Sequence, residues 1–292
     1  MTDIAQTLIG GLVVGSVYAL IALGMSLIYS MSRVINLAQG AFVVLAALAA
    51  VSINKALNLN PVLLMVVMAV IFAVVLAVVD QLIIRPGAKR SGPERMLLIT
   101  VGLLQAVGGF LLIVWGNLPY TMASFTATKS VTVLGLRLAT QYFWIVGVLV
   151  LSVLALWFLL QRTSLGLTMR ATAQDPGAAA LMGVNVDRVR LIAFSMAGAM
   201  AALAGTTIVP LTFLQYDTVV PYAVNGFIAA VIGGLGSSSG AVAGGLLLGL
   251  LEGIFSRYTA ASTAEVLAIG LLILLLLLRP AGLLGKAAEV RR

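Results

Sequence analysis

The chain contains no cysteine and no histidine. Without cysteine there is neither a disulfide framework nor a thiolate metal site. Without histidine, imidazole acid–base catalysis, the Ser-His-Asp triad and His-ligated zinc are all excluded. Charge is the next scarcity. Asp, Glu, Lys and Arg make up 9% of the 292 residues, against roughly 25% in soluble domains. Apolar surface stands in their place: 62% of the residues are hydrophobic and the mean hydropathy is +1.16. A soluble globule cannot bury that much. Repeated apolar blocks of this kind specify an all-α polytopic membrane protein.

A spanning helix needs about 20 apolar residues. Blocks fall at 8–30, 37–54, 62–84, 96–116, 141–160, 191–212, 222–236, 240–256 and 264–278. The sharpest breaks between them are 85–95 and 161–190. The net charge is +8 and the pI near 10.2. We read this surplus as loop charge on one side of a bilayer rather than as a nucleic-acid surface. Arg85, Lys89, Arg90 and Arg95 share one connector, and Arg162, Arg170, Arg188 and Arg190 another, two blocks later. Arg33 and the tail residues Arg279, Lys286, Arg291 and Arg292 join them on the cytoplasmic side. Lys55, Lys129, Arg137 and Arg257 remain for the other side. The expected topology has the N-terminus outside, the C-terminus in the cytoplasm and an odd number of crossings. That number is about nine, with eight to ten allowed. Met1-Thr2-Asp3 forms no basic n-region, so the first block reads as a retained helix. The stretch 222–236 reaches only about 22 Å against the ~30 Å core. A short, broken or re-entrant segment is therefore expected near 222–240.

Several segments carry more than hydropathy. In 161–190, Asp175 before Pro176 reads as an N-cap with proline at the first helical position, and Gly183 as the residue that ends the helix. A short helix over 176–182 follows, with Leu181-Met182 at its apolar end. Asn185 caps the next block, with Asp187 in its first turn. Such a helix fits a groove on another protein, or else lies on lipid headgroups. The connector 117–140 should lie outside. Within it, 130–138 alternates about Gly135 and reads as a small hairpin, either a docking surface for an external partner or an ordinary loop.

Gly236, Gly240 and Gly244 recur every four residues, as do Gly245, Gly249 and Gly253. That spacing lets helices approach closely. The break Gly233-Gly234-Leu235-Gly236-Ser237-Ser238-Ser239 frees backbone groups near membrane depth and suits a cavity or gate. It is not a nucleotide loop, because the Lys-Ser/Thr pair is missing. Asn36 and Gln39 enter the second block, and Asn225 opens the seventh. Intramembrane amides need partners, either other helices or a polar solute. Carboxylates inside spans are scarce, and Asp80 and Glu252 read as lying near block ends. That weighs against a proton-coupled pump. Tyr216-Asp217 matches half of an intramembrane aspartyl protease pair, but no second Asp follows the Gly-rich segment.

These residues together resemble a family. Gly11 to Gly40, ending Ile35-Asn36-Leu37-Ala38-Gln39-Gly40, resembles the opening of LivH-type permeases of branched-chain amino acid ABC importers. The run Arg170 to Asp175, continuing through Met182 to Arg190, is similar to their ATPase-docking loop. Phe227 to Ser237 followed by Gly240 is similar to their second signature, and Leu278 to Gly285 to their tail. The resemblance implies one permease domain over 1–292 that is not itself an enzyme. It implies a second, LivM-type permease beside it in the bilayer, two cytoplasmic ATPases below and an extracytoplasmic solute-binding protein above. No nucleic acid is involved. This chain would hold no cofactor, ATP and Mg being bound by the ATPases. The setting implied is a bacterial or archaeal inner membrane.

The resemblance makes 176–182 the coupling helix, with Arg170, Asp175, Pro176, Ala179, Met182, Gly183 and Asp187 in that contact. Asn36, Gln39, Gly40, Asn225, Gly234, Gly236 and Ser237 would flank the translocation path. The family often has His where this chain has Gln39, which removes a titratable charge from that point. Related permeases move urea, amides or sugars. The competing reading is a stand-alone secondary carrier or channel for a small polar solute.

Overall fold

In the computed structural model, residues 2–90, 93–128, 130–133, 136–258, 270 and 282–284 are described. Their long elements are α1 (Thr2–Ser32), α2 (Gln39–Leu57), α3 (Pro61–Val79), α4 (Arg85–Arg90), α5 (Pro93–Trp115), α6 (Thr140–Arg162), α7 (Ser164–Gln174), α8 (Pro176–Leu181), α9 (Val186–Ile208), α10 (Val219–Gly233) and α11 (Ser238–Tyr258). A hairpin of β1 (Ser130–Val133) and β2 (Leu136–Ala139) pairs Ser130 with Ala139 and Val133 with Leu136. Seven helices among the described residues are long and apolar enough to span a bilayer. α10, at 15 residues, is too short to be an eighth on its own. Apart from residue 270, the block 264–278 and the tail residues Arg279, Lys286, Arg291 and Arg292 lie outside the described residues.

The two ends of the bundle have different characters. Arg33 donates from Nη2 to the Ala173 carbonyl at 2.9 Å, and Arg85 pairs with Asp187. These contacts gather the connectors after α1, α3 and α6 at one end, called here the basic end. At the other end Gln6 donates to the Arg137 carbonyl, Tyr120 bridges Leu214, and Lys55 lies 5.3 Å over the Tyr120 ring. This is the hairpin end. The chain leaves α11 at the hairpin end, where Arg257 reaches Thr7. Residues 283 and 284 are back at the basic end, donating to the carbonyls of Ile232 and Gly233.

Small residues bring the central helices together. α11 lies antiparallel to α1, and a Cβ on Gly11 would fall 2.6 Å from the Gly249 carbonyl oxygen. Backbones that touch in this way gain dispersion contact that larger side chains would forbid. Gly245, Gly249 and Gly253 face α1, while Gly240 and Gly244 face α10. The Gly245 series thus serves α1, and Gly240 with Gly244 serves α10.

Two boundaries differ from the sequence reading. The 85–95 connector is mostly helical. The helix of α3 continues through a π-turn at Asp80–Ile84 into α4. Pro86 stands inside this continuous helix just after the π-turn, where regular bonding to the preceding turn is already interrupted. α10 starts at Val219 rather than 222, because Pro221 falls in a first turn, where its missing N–H breaks no bond. Asn225 therefore stands in the second turn and does not open the helix. Asp80 and Glu252 stand toward the C-terminal ends of the spans Pro61–Ala88 and Ser238–Tyr258, as the sequence reading has them.

Candidate functional site: a buried polar seam and a capped loop helix

The seam starts where α2 begins. Asn36 and Gln39 are buried, at 1% and 0% exposure. Gln39 donates from Nε2 to the Ala197 carbonyl of α9 at 2.8 Å. Asn36 has no hydrogen-bond partner for either side-chain atom among the described residues. A buried amide left unpaired costs about 1–3 kcal/mol, so a sequence that keeps one there holds a polar group ready for something else. Gly40 packs against the Ala223 backbone, joining α2 to α10. Two residues further on, Asn225 donates from Nδ2 to the Tyr18 hydroxyl at 3.0 Å. Gln39, Gly40 and Asn225 thus sit where α1, α2, α9 and α10 meet, with Asn36 buried in the turn before α2.

Gly234, Gly236 and Ser237 form a separate group at the basic end. Gly234 and Gly236 take positive φ of 97° and 86°, which breaks the chain between α10 and α11. Gly236 lies against Tyr29 and Ser30, and Gly234 against Gly282. The Ser237 hydroxyl accepts from the Gly240 amide at 3.1 Å, capping α11.

The loop between α6 and α9 contains two helices where the sequence reading expected one. Thr163 accepts from Gly166 and starts α7. Gly166 rests directly on the Leu159 and Leu160 carbonyls, folding α7 back on α6. Asp175 then caps α8, accepting from Gly177 at 2.8 Å and Ala178 at 3.0 Å, with Pro176 at the first position. At the other end Gly183 has φ 84°. Its amide donates to the Ala180 carbonyl, and Val184 donates to Ala179. That pair of bonds at a left-handed residue is the Schellman arrangement. A six-residue helix is marginal alone; here both ends are closed.

Leu181 and Met182 are 90% and 85% exposed. Ala179 points inward and is buried. Arg170 bonds within its own loop, to the Gly166 carbonyl and Gln161. Asp187 holds Arg85. The residues that offer apolar surface are therefore Leu181 and Met182. Leu181 was marked by the sequence as part of the apolar end but not singled out. Tyr18 was missed altogether, since only the fold brings it to Asn225.

A bundle with a polar interior and a rigid capped helix held outside it defines a membrane transport subunit. Comparison with known proteins says of which kind. Residues 7–277 match the family described as branched-chain amino acid transport system / permease component, and the chain belongs to this family. It is 30% identical to the high-affinity branched-chain amino acid transport system permease protein LivH of Salmonella typhimurium, over 96% of this chain and 95% of that protein. LivH of Escherichia coli (strain K12) is equally similar, at 30% over 96% and 95%. The probable branched-chain amino acid transport permease protein LivH of Methanocaldococcus jannaschii is 28% identical over 98% and 94%. No solved structure matches the chain. Family membership sets the stand-alone carrier aside.

Proposed function

We propose that this chain pairs with a second, LivM-type permease to form the translocation path of an ABC importer for branched-chain or related amino acids. The solute is delivered by an extracytoplasmic binding protein at the hairpin end. Two ATPases, which bind the ATP and Mg, dock at the basic end in the cytoplasm. The names of the full-length relatives support the substrate class. The observation that carries the docking assignment is α8. It is capped at both ends, projects from the basic end and exposes Leu181 and Met182. Rigid apolar knobs of this kind fill a groove on a partner. Asp175, Pro176 and Gly183 act by holding α8 in shape, and Arg170 and Asp187 by fixing the loop around it. Asn36, Gln39, Gly40 and Asn225 flank the path at membrane depth. Gly234, Gly236 and Ser237 supply the hinge at its inner end.

The test is co-purification from the native membrane. Wild type should bring down ATPase subunits and a second permease. Leu181→Glu with Met182→Glu should lose the ATPases by at least tenfold while keeping the second permease, because neither side chain supports the fold. ATPases retained by this variant would remove α8 from the contact. A wild-type chain that binds no ATPase would sink the importer reading itself.

A further inference from the structure

α5 is built with two faces. Met96, Thr100, Leu104, Val107 and Leu111 recur along its inner face and are buried. The Thr100 hydroxyl, shared with the Leu97 carbonyl of its own helix, lies 3.3 Å from the Ile35 carbonyl. That contact seats α5 on the turn that holds Asn36. On the outer face Leu98 and Ile113 are 72% and 85% exposed, as contact with lipid requires. Between them the outer face changes character. Gly102, Gln105, Ala106 and Gly109 stand at i, i+3, i+4 and i+7, so they form one exposed patch over two turns. A Cβ on Gly102 or Gly109 would meet nothing within 4 Å. The lipid faces of α3 and α6 are made instead of large side chains, such as Val70, Val74, Leu151 and Leu154.

Gln105 is the feature that lipid does not explain. It is the middle residue of the 21-residue span Arg95–Trp115. At 1.5 Å per residue, either end of the helix is about 15 Å away, farther than a glutamine side chain reaches. The amide is exposed and has no hydrogen bond among the described residues. Hydrocarbon offers neither donor nor acceptor, so an amide held there is costly until another group pairs with it. No soluble subunit reaches that depth. The partner is therefore a membrane helix, and the small residues around Gln105 let its backbone approach closely. We propose that this patch is where the second permease packs on the chain, through a small-residue helix that presents an amide or hydroxyl opposite Gln105. α5 covers the Asn36 turn, so a permease crossing here lies next to the seam proposed to flank the path. The assignment rests on the importer reading and names the face on which its two permeases meet. At the ~40° crossing common for small-residue contacts, helices part within a turn or two. Ile113 is thereby left to lipid.

The experiment combines photo-crosslinking in the assembled transporter with co-purification of two variants. A p-benzoylphenylalanine probe replaces Val101, at the edge of the patch and 40% exposed, or Leu151 on α6 as the control. The probe at 101 should label the second permease, and the probe at 151 lipid alone. Gln105→Leu should retain at least tenfold less of the second permease than wild type while the ATPases stay bound. Leucine is the better residue for a lipid face, so a Gln105→Leu chain that keeps its partner overturns the proposal. Gly109→Leu meets nothing within the chain. Purified alone it should elute as wild type, and in the transporter it should lose the second permease as Gln105→Leu does. A probe at 101 that labels only lipid, a second copy of this chain or its own residues 264–278 also overturns the proposal. If that transporter still imports, the importer reading stands. A wild-type chain that brings down neither ATPases nor a second permease ends both.

Discussion

The inner helices α1 and α9 and the rim helices α3, α5 and α6 are built on opposite terms. The most apolar stretch of α1 is 72% buried and that of α9 67%, while those of α3, α5 and α6 are 28%, 22% and 28% buried. Yet the rim helices are the more apolar. The rim shows lipid Val70, Ile113 and Leu151, all exposed. The interior holds glycine, alanine and a scatter of polar groups: Ser16, Gln39, Thr206, Thr207 and Asn225. In a bilayer the tails are as apolar as leucine, so burial is driven by close packing and hydrogen bonds rather than by hydrophobicity. The helix that looks least like a membrane span is therefore the one that matters most to the fold.

The sharpest way to test this contrast is with glycines from each region. Gly249→Leu in α11 drives a side chain into the α1 backbone at Gly15. It should cost more than ~3 kcal/mol and abolish a monodisperse product on size-exclusion chromatography. Gly109→Leu on rim helix α5 meets nothing within 4 Å, and should elute as wild type. If both behave alike, close packing is not what distinguishes the two regions.

Next comes the ion pair where rim meets interior. Asp80 on the α3 π-turn and Arg190 on α9 are 1% and 12% exposed. Asp80→Asn or Arg190→Met alone should destabilise by roughly 3 kcal/mol, since each strands a buried charge or polar group. The double variant Asp80→Leu with Arg190→Met should recover most of that in a detergent melting series. A double variant as poor as the singles would make the pair a net source of stability.

Smaller still is one side-chain hydrogen bond of the interior. Asn225→Leu removes the contact to Tyr18. It should cost about 0.6 kcal/mol, typical of interhelical side-chain bonds in membranes, but reduce transport far more than stability. Stability loss without transport loss would make Asn225 ordinary glue. At the bottom of the scale, Ile113→Ala on the rim, 85% exposed, should shift the melting temperature by less than the scatter between preparations, since lipid replaces the lost contacts.

Hydropathy alone located α2, α5, α6 and α11 to within three residues at each end and α1 and α9 to within six, because hydrocarbon thickness sets their length. The 176–182 helix was as legible, since Asp175, Pro176 and Gly183 each specify a backbone state locally. The continuation of α3 to Arg90 was not, because charge there reads as loop although the backbone stays helical. α7 escaped for a similar reason: it is short and not strongly apolar. The interior site was half visible. Asn36, Gln39 and Asn225 stood out as amides in apolar runs. The partner of Gln39 on α9 lies 158 residues away and that of Asn225 on α1 lies 207 away, and no local pattern encodes such pairings.

The contact of residues 283 and 284 with the Ile232 and Gly233 carbonyls has a consequence for biogenesis. The last carbonyls of any helix lack intrahelical partners. Two of those at the end of α10 find theirs in a segment synthesised well after the helix itself. At ~5–20 residues per second, the ribosome leaves that helix end unfinished for several seconds. The Gly234 hinge is thus the last part of the interior to be locked. Nascent chains arrested before residue 283 should contain a complete α1–α9 core and an open, protease-sensitive 233–238 turn.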